Sequence, residues 1–197
     1  MNQAILTKTY PEPPIDEREI LRYAGCKTAD QSVQTLLDSC LDEARTALSY
    51  RICWAELPAK IVGNRCDLQH VVIESEDLAK NLQDCSRVVL LAATVGVELD
   101  RLILKYSRIA PSKALMMQAI GAERIEALCD AFCAELAETR GCTLRPRFSP
   151  GYGDLSMETQ RVIFSLLGCE KRIGLSLNES LLMSPTKSVT AFVGMRE

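Results

Sequence analysis

The chain has 197 residues, 47% of them hydrophobic and 25% charged, an ordinary globular balance that supplies one sizeable core and argues against disorder. A formal charge of -3 leaves no basic footprint for nucleic acid, and no cluster of four or more Lys/Arg offers a hold on an anionic membrane. The amino terminus lacks the basic start and apolar core of a secretion signal, and the longest apolar run, VVLLAATVGV at 88–97, is too short to span a bilayer, so a soluble cytoplasmic protein is expected.

Behind a proline-rich lead-in (Pro11, Pro13, Pro14), residues 16–24 read as a short helix. Residues 30–48 read as a longer one, because Val33, Leu36, Leu37, Cys40, Leu41, Ala44 and Leu48 recur at helical spacing on one face. From 50 to 75 the pattern changes to short β-type runs, RICWAEL and LQHVVIES, interrupted by Pro58 and by Gly63-Asn64. A short helix at 76–83, a buried strand at 87–94 and a helix at 97–108 follow. Pro111 punctuates, Ser112 is the expected cap, and a long helix runs over 113–138 until Gly141 stops it. Its apolar stripe includes Ile125, Leu128, Cys129, Phe132, Cys133 and Leu136, with Glu126 and Asp130 four apart along one edge. The last third reads as a strand over 142–148, a Pro150-Gly151 turn, a helix over 156–167 and two or three strands over 174–194. Helices and strands interleave, yet the terminal strands are joined by short turns, which gives an α+β class: a mixed, mainly antiparallel sheet with flanking helices.

Most of the reactive residue types lack the neighbours that would make them chemical. The nine cysteines are odd in number, irregularly spaced and without a CxxC pair, and read as reduced, mostly buried thiols. Cys129 and Cys133 share a helical face but have no third or fourth ligand at metal-site spacing. The single histidine, His70, sits in a strand pattern with no triad residues framing it, and Ser149 lacks the spacing of a nucleophile elbow. Thr94-Val95-Gly96, between a strand and a helix, reads as a tight turn rather than an anion cradle.

The segment RFSPGYGD, residues 147–154, is richer. Arg147 offers a planar fork suited to a carboxylate, the Pro150-Gly151 turn brings backbone close to a ligand with no Cβ in the way, and Tyr152 offers a ring face and a hydroxyl. As residues alone, this is equally the amino-acid end of a small-ligand site or an ordinary turn, with Asp154 capping a helix near Ser156 and Arg147 on the surface.

The pattern R-x-x-x-G-Y, from Arg147 to Tyr152, resembles the S-adenosylmethionine-binding signature of the activation domain of cobalamin-dependent methionine synthase. Downstream, Glu179-Ser180-Leu-Leu-Met183-Ser-Pro185-Thr-Lys-Ser188-Val189 is similar to the family pattern E-S-x-x-M-x-P-x-x-S-V, and AATVG at 92–96 to its A-x-T-x-G. The similarity spans about 88–194, so 88–197 is expected to form an activation-domain-like core and 1–87 a helical and β part of the same domain.

The resemblance implies a stand-alone activation subunit for a cobalamin-binding methionine synthase that lacks its own activation domain. It implies S-adenosylmethionine as the ligand and cobalamin carried by the partner. One electron from a flavodoxin- or ferredoxin-type donor and one methyl group then return cob(II)alamin to methylcobalamin, and the chain is a methyltransferase component that does not turn over alone. Carried over by position, Arg147 grips the methionine moiety, Ser149 and Gly151 present main-chain groups, and Tyr152 helps enclose the ligand. Glu126 meets the ligand's diol, ammonium or sulfonium, with an ordinary solvated helix charge as an equal reading. The family's full-length enzymes add tyrosines from a further C-terminal segment, whereas this sequence ends at Glu197, and Asp154 has no counterpart there, leaving ligand contact and helix capping both open. Two other readings stand beside this one: a corrinoid-protein-binding adaptor without S-adenosylmethionine affinity, and a stand-alone small-molecule methyltransferase.

Overall fold

The computed structural model describes residues 4–26, 28–69 and 71–196; His70 lies outside them. Among the described residues the chain runs β1 (Leu6–Tyr10), α1 (Glu17–Tyr23), α2 (Gln31–Ala47), β2 (Tyr50–Pro58), β3 (Lys60–Val62), β4 (Arg65–Asp67) and β5 (Val72–Glu74). It continues through α3 (Glu76–Asn81), β6 (Arg87–Thr94), α4 (Val97–Ile109), α5 (Pro111–Arg140), β7 (Thr143–Leu144), α6 (Thr159–Leu167), α7 (Cys169–Ile173), β8 (Ser176–Leu177), β9 (Met183–Ser184) and β10 (Ser188–Arg196).

Five strands form the main sheet in the order β1-β2-β6-β10-β7, each pair antiparallel. Every residue of β6 after Arg87 is buried, because the strand carries a core on each face. Val89, Leu91 and Ala93 pack with α1, α2, α4 and α5 on one side. Val88, Leu90 and Ala92 pack with α3, α6 and α7 on the other. A strand covered on both faces needs no polar alternation, which is why VVLLAAT is an unbroken apolar run. The α+β class and the mainly antiparallel sheet are therefore as expected.

Helix ends follow local chemistry. Asp16 accepts from the N–H groups of Arg18 and Glu19 to start α1, and Asp30 accepts from those of Ser32 and Val33 to start α2. The α5 helix starts at Pro111, not at the expected Ser112 cap: proline's fixed φ and missing N–H suit the first helical position, so Ser112 lies inside the helix. The helix then runs 30 residues, and inside it Arg124 is fully buried. Its guanidinium pairs with Glu123 and donates to the carbonyl oxygens of Pro13 (2.6 Å) and Pro14 (2.7 Å), tying the proline-rich lead-in to the middle of α5.

Three elements differ from the sequence reading. The edge strand β1 was hidden in the lead-in: LTKTY buries little, so its pairing with β2 leaves no strong apolar pattern. The strand expected over 142–148 reduces to two residues plus an isolated Phe148–Phe192 bridge, since Pro146 has no N–H to continue the ladder. The helix expected over 156–167 begins at Thr159, after a series of turns, and resumes beyond Gly168 as α7. Three terminal strands are present, but β8 and β9 pair with each other while β10 inserts between β6 and β7. Six cysteines, Cys40, Cys53, Cys66, Cys85, Cys129 and Cys169, are buried. Among the described residues, no helix is long and apolar enough to cross a membrane.

Candidate functional site

An open cleft of about 600 Å³ lies where α5, the turn after β7, α6 and the start of β10 meet. The α5 helix contributes Glu126 and Asp130, the turn contributes Pro146 to Pro150 and Tyr152, α6 contributes Gln160, and β9 and β10 contribute Met183 and Ser188 to Thr190. Both sequence patterns singled out above thus converge on one cavity. The downstream one is fixed by its own contacts: the N–H and hydroxyl of Thr186 donate to Asp100 at 2.7 and 2.6 Å, and the Ser188 hydroxyl donates to the Pro185 carbonyl at 2.8 Å.

Arg147 is the electrostatic centre. Its Nη2 donates to Glu126 Oε2 at 2.6 Å and its Nη1 to Asp130 Oδ1 at 2.5 Å, so the helical spacing of four residues sets the two carboxylates on one guanidinium fork. Burial opposes the charge on Arg147, but the Asp130 hydrogen bond and the two carboxylates outweigh it and hold the group protonated above its usual range. Cys129 and Cys133 lie close behind, and burial pushes both thiols up against the pull of Arg147. Two of the five guanidinium donors are engaged by these pairs, and the Cys133 thiol is a further hydrogen-bond partner of the same group.

The turn beyond Arg147 is held by its own backbone. The Gly151 N–H donates to the Leu155 carbonyl (2.8 Å), the Tyr152 N–H to Ser149 (3.2 Å) and the Leu155 N–H to Tyr152 (3.0 Å). Gly151 has φ 92°, and a Cβ there would lie 2.4 Å from Met157 Sδ, so this bend requires glycine. Of the residues the sequence pointed to, Arg147, Ser149, Tyr152 and Glu126 line the cleft; Gly151 shapes the turn without lining it. Tyr152 stands 67% exposed at the rim.

Of the two readings left open for Asp154, the structure corrects the capping one. The Asp154 carboxylate accepts from the Ser75 hydroxyl and from the N–H groups of Glu76 (2.7 Å) and Asp77 (3.2 Å), so it caps α3, far away in sequence, and not the helix that follows it. Local reasoning placed the cap on the next helix because only tertiary structure brings α3 to this turn. The Ser75 hydrogen bond, with the backbone bonds, lowers the Asp154 pKa from its ordinary value. Because the folded value is the lower one, the stabilisation is present above the unfolded carboxylate range, about pH 4, and is lost as pH falls through the folded value. Asp154→Ala is accordingly expected to lower the thermal midpoint at neutral pH, and the gap to wild type should close on acidification; melts across that pH series check it.

Thr94-Val95-Gly96 is the tight strand-to-helix turn expected: Gly96 has φ 92° and a Cβ there would meet Ser49 Oγ at 2.4 Å. It takes no part in the cleft lining. Asp130 and Gln160 are lining residues with no signal strong enough to nominate them. Asp130 showed only its spacing from Glu126, and Gln160 looked like any polar residue within the helix expected over 156–167. Gln160 is nonetheless 5% exposed, and its Oε1 is buried with no hydrogen-bond partner among the described residues.

Residues 75–197 match the family described as vitamin B12 dependent methionine synthase, activation domain. Comparison with curated proteins gives no match. Among solved structures the chain is similar to a crystal structure of the MetH reactivation domain bound to AdoHcy, with a TM-score of 0.71 and 15% identity over 98% of this chain and 78% of that one. At that identity the likeness is one of fold.

Proposed function

Since this chain belongs to the activation-domain family of vitamin B12 dependent methionine synthase, we propose that its cleft binds S-adenosylmethionine and serves the reductive methylation of cob(II)alamin back to methylcobalamin on a partner protein. The observation that carries this reading is the convergence of the 147–152 and 179–189 patterns on one cavity with a carboxylate-bracketed arginine inside it.

The residues present fit such a ligand. The cavity volume is within the range of small-molecule sites. Arg147 with Glu126 and Asp130 carries one net negative charge, complementary to a ligand whose ammonium and sulfonium outnumber its single carboxylate. The Arg147 guanidinium holds the methionyl carboxylate, while Glu126 and Asp130 attract the ammonium and the sulfonium. Because the turn already uses the Ser149 carbonyl, main-chain contact from Ser149 falls to its N–H, while Gly151 serves by shaping the turn. Tyr152, exposed at the rim, supplies a ring to fold over the ligand.

Bound S-adenosylmethionine supplies an electrophilic methyl group, and the partner's cobalamin, once it has taken up an electron from a flavodoxin- or ferredoxin-type donor, supplies the nucleophile. The chain's share is orientation: holding the ligand at both its charged and its neutral ends fixes where the methyl points, which needs no acid–base pair. On this reading the chain is a cytoplasmic methyltransferase component acting on a cobalamin-binding methionine synthase that lacks an activation domain, with 1–87 and 88–197 as parts of one domain.

The test is reconstitution of the chain with a cob(II)alamin-loaded partner, a reductant and methyl-labelled S-adenosylmethionine. Label is expected on cobalt only when all are present. Label passing to a small acceptor without cobalamin or reductant would overturn the proposal in favour of a stand-alone methyltransferase.

A further inference from the structure

We propose that Gln160 is the specificity-determining residue for the base of the ligand, its side-chain oxygen accepting a hydrogen bond from the exocyclic amine of the adenine. The inference rests on the S-adenosylmethionine reading and deepens it. Gln160 lines the same cleft as Arg147, is 5% exposed, and holds a buried Oε1 without a partner among the described residues. A buried amide oxygen left unpaired destabilises a fold, and such groups in native proteins are few, so one placed at a cavity wall calls for a donor that arrives with a ligand. The terminal torsion of a glutamine is broad and roughly two-fold, so the amide turns to present its oxygen to a ligand donor at little cost.

The choice among ligand donors follows from what else the cleft offers. Glu126 and Asp130 on α5 give the ammonium charged acceptors and the sulfonium a compensating negative charge. A neutral acceptor on α6 suits a neutral donor, and Phe148, Pro150, Met183 and Val189 add the apolar lining that a heteroaromatic ring requires. Adenine presents an amine beside a ring nitrogen, the pattern that a glutamine amide pairs with at both ends.

The experiment is calorimetric titration of the full chain and Gln160→Met with two ligands, S-adenosylhomocysteine and its analogue bearing hydrogen in place of the 6-amino group. Wild type is expected to bind the analogue roughly 5- to 150-fold more weakly, the range for leaving a buried acceptor unpaired. Gln160→Met should bind both with a ratio near one, and should melt at or above the wild-type temperature because it removes an orphaned polar group. A wild type that does not discriminate, a ratio preserved in Gln160→Met, or an equal loss for both ligands would each overturn the assignment while leaving the ligand reading intact. Failure of wild type to bind either ligand would overturn both.

Discussion

Arg124→Met is expected to cost about 3–5 kcal/mol of stability, the range for breaking a buried ion pair by removing one partner. Arg124 is 0% exposed and Glu123 3%, so the substitution leaves a carboxylate inside the protein with its counter-charge gone. The carbonyls of Pro13 and Pro14 lose their donors at the same time. Glu123 keeps one bond, from the Asp16 N–H at 3.1 Å, which is too little to hold the lead-in on α5. By contrast, Lys80 and Glu76, whose side chains are 70% and 72% exposed, form a pair whose loss should change stability by well under 1 kcal/mol. Denaturant unfolding of Arg124→Met, with the double variant Glu123→Gln/Arg124→Met beside it, checks the mechanism. If the orphaned carboxylate is the cause, the double variant recovers part of the loss.

Arg147→Ala is expected to act on binding and hardly on folding. Loss of charge-assisted bonds to the ligand carboxylate should weaken S-adenosylmethionine binding by about 10- to 150-fold. The Glu126 and Asp130 side chains are 45% and 70% exposed, so water takes over when the guanidinium goes and the unliganded melting temperature should shift little. Arg147→Lys should not restore affinity, because a point charge cannot bridge two carboxylates and still present a planar fork to a third. The readout is the ligand-induced rise in melting temperature, which should shrink in both variants at a fixed ligand concentration.

Much of the fold was legible because burial is written in periodicity. The α2 stripe and the unbroken β6 run each name the surface they face, and Gly141 names the end of α5. What escaped depends on partners rather than on local pattern. Strand β1 exists through its pairing with β2, and the short β7 through Arg196 and Met195 of β10. The site divides in the same way. Arg147, Ser149, Tyr152 and Glu126 were marked by a family signature and its aligned helix, and the structure sets them around one cleft. Asp154 misled because its true partner, Ser75, is 79 residues away. Gln160 was invisible because a polar residue on a helix is solvated by default, and only its depth reveals an unmet hydrogen bond.

The most direct measurement of the central claim is calorimetric titration of the wild-type chain with S-adenosylmethionine. Binding at a single site per chain, weakened by added salt as expected for a ligand held through charge, is the predicted result. A titration without heat of binding across temperatures, with the melting temperature unmoved by the ligand, would contradict the account.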